Sequence, residues 1–402
     1  VGSEMCIRDS LDNMKIAILT LPLHYNYGGN LQCYALCTVL KKMDHEVQVI
    51  KLIQDIQLPP LKQRPYLYTK RLINKILGRK YSCILAEQRL IKDRDIVHQY
   101  ADEFIRKYIP CTNAQYASNE ELKEISNLGF QVYIVGSDQV WRPKYAFPDI
   151  RAFYLSFLKK EKVKRIAYAA SFGTDENEYT KEQQQDCGIL IEKFDAVSVR
   201  ESSAIKLIND TLLWNCKQLQ QVVDPTMLLD KIDYLKLVNQ QFPAPANGLF
   251  YYILDMTSDK KRALDDICRK TQTTPFTVFP KSTLPDSKVE DKIVPPVEEW
   301  INAFEKAQYI ITDSFHGCVF SIIFNKPFIV YANANRGVAR FNSLLKLFHL
   351  KDRLIYSAQE LNIEKINAPI NWHQINQIRK EQTELAMLFL KKNLQVPQEN
   401  VT

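Results

Sequence analysis

Glycine is scarce in this chain of 402 residues, with only 11 in total, well under half of the roughly 7% that is usual. A chain so poor in glycine uses it mainly where the backbone needs it, so each position is informative. Long apolar runs are missing as well, because no stretch approaches the roughly 20 residues of a membrane-spanning helix. No secretory signal is recognisable, and we therefore expect a cytoplasmic protein.

Cysteine and several well-known motifs are also sparse or absent. Nine scattered cysteines are too few for a disulfide scaffold. The close pair Cys33 and Cys37 has helical spacing and no second pair nearby, so we expect reduced, mostly buried thiols and no bound metal. The sequence contains no GxGxxG, P-loop, GxSxG or HExxH motif, which argues against nicotinamide enzymes, P-loop nucleotide enzymes and the corresponding hydrolases.

Positive charge is concentrated in one short segment. Val1–Asn13 has no helix or strand pattern, and we expect it to be a non-native leader. Without its one arginine and three acids, the net charge rises from +7 to +9. Seven positive charges and no acid lie within 61–80: Lys62, Arg64, Lys70, Arg71, Lys75, Arg79 and Lys80.

Leucine and isoleucine alternate with these cations, inside a basic helical segment that we place at 61–110. Two interpretations stay open for the segment. It is either an amphipathic helix lying on an anionic membrane or a solvated helix on the surface of the domain. A surplus this local does not indicate nucleic-acid binding.

Short apolar runs alternate with amphipathic stretches, which predicts an α/β protein with parallel sheets covered on both faces. We expect two Rossmann-like domains, at 14–235 and 236–371, which face each other across a cleft. A C-terminal helix within 372–402 is expected to pack back on the first domain, followed by a tail. The predicted strands are Ile16–Leu21, Glu46–Ile50, Val132–Gly136, Arg165–Ala170, Ala196–Val199, Val222–Val223, Phe250–Leu254, Phe276–Phe279, Lys292–Val294, Tyr309–Thr312 and Pro327–Tyr331.

Polar motifs follow several of these strands, at the edge of a parallel sheet where ligands bind. The sharpest is ITDSFHG, in which His316 directly opens a helix. A histidine there can act as a general acid or base or bind phosphate, or it can simply be bonded inside the fold. Ser314 and Gly317 of the same motif lie where backbone N–H groups can meet an anion.

Arginines provide further candidates for anion binding. Arg200 stands where a strand gives way to a helix, and its guanidinium could capture a carboxylate or phosphate or pair with Glu201 on the surface. Arg336 and Arg340 are weaker candidates of the same kind. Trp141 could stack on a sugar or lie in an interdomain core. The candidates for the cleft itself are Asn26, Gly28, Gly29, Asp138, Gln139 and Trp141.

The motifs NYGGNLQ, VGSDQVW, YAASFG, VSVRES, VVDPTMLL and ITDSFHG occur in this order over roughly Lys15 to Leu350. Together they resemble the polysaccharide pyruvyl transferase family. The resemblance implies a glycosyltransferase-B-like arrangement of the two domains. It also implies an enzyme of capsule or exopolysaccharide synthesis that moves pyruvate from phosphoenolpyruvate onto two sugar hydroxyls, forming a ketal and releasing phosphate.

The same resemblance implies roles for individual residues. His316 corresponds to the catalytic histidine and Arg200 to the strand-end arginine of the family, and Ser314 and Gly317 are expected to contact the donor. Phosphoenolpyruvate is expected as co-substrate, without a further cofactor, and a sugar or lipid-linked glycan as acceptor. Two alternatives remain: a glycosyltransferase that binds a nucleotide sugar in the second domain, and a non-catalytic scaffold associated with glycan or membrane.

Overall fold

A computed structural model describes residues 13–54, 56, 58–77, 83–158, 162–333 and 336–395. The expected leader, except for Asn13, lies outside these residues, and so does the tail beyond 395. Arg79 and Lys80 of the basic segment also lie outside them.

The first domain is built on a sheet of seven parallel strands in the order β3-β2-β1-β4-β5-β6-β7, counted within the described residues. Its central strands are buried throughout because helices cover both faces, which explains their continuous apolar sequences. The strands are β1 Lys15–Leu19, β2 Glu46–Leu52, β3 Cys111–Tyr116, β4 Val132–Val135, β5 Lys164–Ala170, β6 Ala196–Val199 and β7 Gln220–Gln221.

Helices connect these strands and cover the sheet. They are α1 Tyr27–Lys42, α2 Arg64–Ile76, α3 Ala86–Val97, α4 Gln99–Tyr108, α5 Asn119–Leu122, α6 Lys181–Ile191, α7 Ser202–Lys206 and α8 Lys231–Leu235. Helices α2 to α4 form an insertion between β2 and β3.

The second domain has a sheet of five parallel strands in the order β12-β11-β10-β8-β9 within the described residues. The strands are β8 Gly248–Tyr252, β9 Thr274–Phe276, β10 Tyr309–Thr312, β11 Phe328–Tyr331 and β12 Leu354–Ile355. The helices are α9 Ser258–Thr271, α10 Val289–Lys292, α11 Val297–Lys306, α12 Phe315–Ile323, α13 Ala339–Leu347, α14 Ile363–Asn367 and α15 Trp372–Leu394. None of the described helices is both long and apolar enough to cross a membrane.

Buried apolar side chains continue from one domain into the other. The ring of Tyr27 in α1 stacks on Trp300 in α11, with centroids 5.7 Å apart, and its hydroxyl donates to the carbonyl of Pro295 at 2.8 Å. Helix α15 contacts the first domain, where Thr383 donates to the carbonyl of Met227 at 3.0 Å. These contacts hold the carboxyl ends of the two sheets on opposite walls of one cleft.

Several strand predictions differ from the structure. Edge strand β3 was not predicted because its sequence, CTNAQY, is polar, and β12 was not predicted because it has only two residues. The predicted strand at Lys292–Val294 is wrong, since α10 ends at Lys292 and irregular backbone follows. The last strand of the first sheet is Gln220–Gln221, two residues before the predicted Val222–Val223.

Candidate active site

The ITDSFHG motif joins strand β10 to helix α12 and brings His316 to the cleft. Ser314 caps the helix, with its hydroxyl accepting a hydrogen bond from the backbone N–H of Gly317 at 3.3 Å. A Cβ on Gly317 would lie 2.2 Å from Oγ1 of Thr312, so only glycine lets the first turn lie this close to the strand end. The motif therefore presents His316 at the first turn of a buried helix.

His316 is in close contact with the first domain. A Cβ placed on Gly28, in the first turn of α1, would lie 2.1 Å from Nδ1 of His316. The absence of a side chain at Gly28 therefore makes the space that the imidazole fills. Asn26 caps the same helix by accepting from the N–H of Gly29 at 3.3 Å. The NYGGNLQ motif thus builds a helix start against which the histidine of the other domain packs.

Arg200 is almost completely buried, with 2% of its side chain exposed, and it bonds two carboxylates. Its Nη1 donates to Oδ2 of Asp224 at 2.7 Å, and its Nη2 donates to Oδ1 of Asp138 at 3.1 Å. Asp224 also accepts from the backbone N–H and the hydroxyl of Thr226, at 3.0 and 2.7 Å. The alternative interpretation, a surface pair of Arg200 with Glu201, is wrong, because Arg200 is buried and bonded to acids from two other loops.

His316 and Arg200 meet at Asp224. The Nε2 atom of His316 lies 3.6 Å from Oδ2 of Asp224, the same oxygen that accepts from Arg200. The ring of Phe315 adds a further link, because the guanidinium carbons of Arg200 and Arg340 lie 4.3 and 5.3 Å from its centroid. Five of the quoted motifs therefore converge on one place.

Three buried nitrogen atoms in this place have no hydrogen-bond partner among the described residues: Nε of Arg200, Nε of Arg340 and Nε2 of His316. Buried polar atoms are almost always bonded in folded proteins. Arg340 is 5% exposed, and its Nη2 donates to the carbonyl of Arg336 at 2.6 Å. Unpartnered donors on two cations and a histidine are the arrangement expected of an anion-binding site.

Electrostatics in the cluster favour ionised carboxylates. Burial by itself would raise the pKa of Asp224, but His316 and Arg200 hold that pKa well below its usual range. The pKa of Asp138 is also lowered, because Arg200 outweighs the effect of burial. Burial, followed by repulsion from Arg200, lowers the pKa of Arg340 to about 10. The cation at Arg340 is thus poorly compensated, and an anion beside it would be stabilised.

Glu201 contributes a buried acid behind the arginines. Its Oε1 accepts from the hydroxyl of Ser171 and the N–H of Phe172, both at 2.9 Å, while Oε2 has no partner. Burial raises its pKa. Nearby, a Cβ on Gly337 would lie 1.7 Å from the carbonyl oxygen of Gly173, so this edge of the cleft depends on two backbones in direct contact.

Other predicted residues lie outside the cluster. Trp141 does not face a sugar or the interdomain contact: it is fully buried in the first domain, stacks on Tyr154 and donates to the carbonyl of Phe153 at 3.1 Å. Gln139 packs against Gly173, where its amide fills the space beside the glycine. The apolar environment of the strand-end loop explains why the tryptophan turns inward.

Arg336 is paired with an acid of its own domain. Its Nε and Nη2 donate to the two oxygens of Asp255 at 2.6 and 3.0 Å, and this pairing lowers the pKa of Asp255 to about 2. Its carbonyl supports Arg340, as described above. Of the two arginines predicted to bind the donor, the structure therefore brings Arg340, and not Arg336, to the cluster with His316.

Asp224 was not among the predicted site residues, although it links His316 with Arg200. Its sequence signal is an Asp-Pro pair directly after the predicted strand that closes the first series, which resembles a domain boundary. An acid directly after a strand is also a candidate for the site, so the position of Asp224 in the sequence was the signal that could have identified it. Among the described residues, no group of three or more His, Cys, Asp or Glu side chains is arranged to hold a metal ion.

Two parallel-sheet domains with a shared cleft define a glycosyltransferase-B-like fold, and solved structures share it. A putative UDP-N-acetylglucosamine 2-epimerase from Listeria monocytogenes matches with a TM-score of 0.51 at 11% identity, covering 94% of this chain and 96% of that one. A glycosyltransferase from Rickettsia africae matches at 0.51 and 12%, covering 95% and 97%. The UDP complex of S. aureus MnaA matches at 0.52 and 14%, covering 94% and 97%.

Sequence comparison identifies the family. The family model described as polysaccharide pyruvyl transferase matches residues 26–335. The chain therefore belongs to the polysaccharide pyruvyl transferase family and is a transferase, as its motifs predicted. No curated protein sequence matches it significantly.

Proposed function

We propose that this enzyme transfers pyruvate from phosphoenolpyruvate to two hydroxyls of a sugar in a polysaccharide or glycan precursor, releasing phosphate. The observation that carries the proposal is the set of three unpartnered buried nitrogens on Arg200, Arg340 and His316. Phosphoenolpyruvate has a carboxylate, a phosphate and a carbon that accepts a proton. Two cations and one acid are the groups that such a molecule requires.

In the proposed reaction His316 is the general acid. Its proton goes to the methylene carbon, whose double-bond electrons form the new C–H bond, and the neighbouring carbon becomes oxocarbenium-like. One sugar hydroxyl adds to that carbon and loses its proton. The C–O bond to phosphate then breaks, and phosphate leaves with the electron pair.

The second sugar hydroxyl closes the ketal on the same carbon. Of the two protons that the hydroxyls lose, one replaces the proton given by His316 and the other leaves with phosphate. The balance needs no oxidant or reductant. Phosphoenolpyruvate is the only co-substrate in this scheme, and the acceptor is a sugar diol, free or lipid-linked, reached from the cytoplasm.

Arg200 and Arg340 bind the anionic groups of the donor in this scheme. Asp138 and Asp224 hold Arg200 through both of its terminal nitrogens, which leaves Nε free and the guanidinium fixed before the substrate arrives. Asp224, 3.6 Å from Nε2 of His316, is placed to balance the charge of an imidazolium. These two acids act through Arg200 and His316 and are positioning residues.

Thermal unfolding of the full chain with different ligands tests this proposal against its two rivals. Phosphoenolpyruvate should raise Tm in a concentration-dependent manner, more than inorganic phosphate does, while UDP-N-acetylglucosamine and other nucleotide sugars should leave Tm unchanged. A rise with nucleotide sugars alone would indicate a glycosyltransferase. No rise with any of these ligands would favour the scaffold and contradict the proposal.

A further inference from the structure

Helix α2 turns its apolar side away from the protein. None of its residues is buried. At 100° per residue, Arg64, Leu67 and Arg71 share the face that is half-buried against the domain. The opposite face carries Ile73 and Ile76, which are 51% and 75% exposed. Further large side chains exposed on this surface are Leu61, Tyr66, Leu72 and Leu77.

Polar contacts fix this orientation. Nη1 and Nη2 of Arg71 donate to the two carboxylate oxygens of Glu87 in α3, at 2.8 and 2.7 Å, and Nη1 also reaches the carbonyl of Ile84 at 3.1 Å. Arg64 donates to the carbonyl of Pro59 at 2.8 Å. Because the inner face is held by bidentate and backbone bonds, the outward apolar face belongs to the fold. Exposed apolar patches of this kind mark interaction surfaces.

Exposed lysines accompany the apolar face. Lys70 lies beside the stripe that contains Ile73 and Ile76, whereas Lys75 lies on the side of Arg64 and Arg71, at the end of the helix, and is also exposed. Lys62 adds a third exposed cation, and residues 61–77 contain no acid. An apolar stripe accompanied by three exposed lysines complements a surface with an apolar interior and negative headgroups.

We propose that α2, with Leu61 and Leu77 at its ends, docks into the headgroup region of an anionic lipid bilayer. The lysines would pair with lipid phosphates while the isoleucines enter the acyl boundary. Exposed lysines before, beside and behind the stripe, with no acid in 61–77, complement a surface that is negative all around the helix, as the headgroups of an anionic bilayer are.

The insertion that carries α2 lies beside the cleft. Lys292 of the second domain bonds Asp93 of α3 at 2.6 Å, and the rings of Tyr25 and His98 are 4.7 Å apart, which ties the insertion to the loop before α1. Docking through α2 would hold the cleft near the bilayer, where a lipid-linked acceptor lies. Only this last consequence rests on the proposed function, because docking itself is independent of catalysis.

Co-sedimentation of the full chain with vesicles tests the proposal. Wild-type protein should bind vesicles in which about a third of the phosphatidylcholine is replaced by phosphatidylglycerol, bind pure phosphatidylcholine at least tenfold more weakly, and be released by salt. The double variants Ile73→Ser/Ile76→Ser and Lys70→Glu/Lys75→Glu should each reduce binding to the anionic vesicles at least tenfold.

Matched controls come from α15, which exposes similar side chains. Leu385→Ser/Leu388→Ser and Lys391→Glu/Lys392→Glu remove equivalent apolar and charged groups and should bind like wild type. Equal binding by wild type and the two α2 variants would overturn the proposal. So would a wild-type dimer in sedimentation velocity that does not bind vesicles and that Ile73→Ser/Ile76→Ser dissociates, since a second copy would then cover the helix.

Discussion

Two buried charge clusters lie at the carboxyl ends of the sheets, and they differ in one respect. The cluster around Asp313, with Lys260 and Asn333, is closed. Both oxygens of Asp313 accept hydrogen bonds, from the N–H of Leu254 at 2.6 Å, from Lys260 at 2.6 Å and from Asn333 at 3.0 Å. The cluster of Arg200, Asp138, Asp224, His316 and Arg340 is open, because three of its nitrogens have no partner in the part of the chain that the structure describes.

The difference separates structural from chemical roles inside one motif. Asp313 and His316 are three residues apart, yet the first ties together the loops after β8 and β11 while the second faces the other domain. In the closed cluster every donor and acceptor of the ion pair is already bonded, so none is free to bind a ligand. In the open cluster the buried donors without partners destabilise the folded state, and a bound ligand would relieve that cost. Substitutions in the two clusters should therefore have opposite effects on stability and turnover.

The largest effect on turnover is expected in the open cluster. His316→Gln should reduce phosphate release by about 10²- to 10⁴-fold, since it removes the general acid. Its free energy of unfolding should fall by no more than about 1–2 kcal/mol, because glutamine loses the contact with Asp224 at 3.6 Å but no hydrogen bond found within the described residues. His373→Gln, at an exposed position in α15, is the control and should behave like wild type. Retained turnover in His316→Gln would remove the histidine from the acid role.

The largest effect on stability is expected in the closed cluster. Asp313→Asn should lower the free energy of unfolding by about 3–5 kcal/mol, because Lys260 would keep a buried charge without its carboxylate. Glu120→Gln breaks an exposed pair with Lys123 and should cost less than about 1 kcal/mol in the same urea titration. Equal losses of unfolding free energy in Asp313→Asn and Glu120→Gln would contradict a structural role for the closed cluster.

An intermediate effect is expected where the domains meet. Gly28→Ala adds a methyl that would overlap His316, so turnover should fall about tenfold or more, although alanine favours a helix by about 1 kcal/mol. Gly29→Ala meets only the side chain of Asn26, at 3.3 Å, and should remain close to wild type. Stability should fall in Gly28→Ala, because the buried imidazole must move, and should stay the same or rise in Gly29→Ala. Similar turnover in both would contradict the packing of His316 on Gly28.

The smallest effect is a pH dependence from Glu201. Because burial raises its pKa, the folded state holds the proton longer than the unfolded state, and stability falls as pH rises from about 4.3 towards the raised value. This contribution is at most about 1.4 kcal/mol per pH unit. Glu201→Gln should remove it, so the stability difference between variant and wild type should grow with pH. A difference independent of pH would mean that Glu201 ionises normally.

Much of the site could be predicted from sequence because strand-end positions in parallel sheets converge. Apolar runs located the central strands, and the glycines at 28 and 317 marked places where a helix approaches another element closely. Which acid each cation of the site bonds could not be predicted, because the partners lie on loops far apart in sequence. Asp224 therefore went unnoticed as the link between His316 and Arg200, while Trp141 was placed in the cleft although its ring lies in the core.

Calorimetric titration with phosphoenolpyruvate, comparing wild type with Arg340→Met, tests the central claim most directly. Methionine keeps the apolar stem but removes the buried, poorly compensated charge beside Arg200. We predict that affinity falls at least tenfold while Tm in the absence of ligand stays the same or rises. Arg262→Met, at an exposed position of α9, should bind like wild type. Equal affinity in wild type and Arg340→Met, or no binding by either, would contradict the assignment of the open cluster as the donor site.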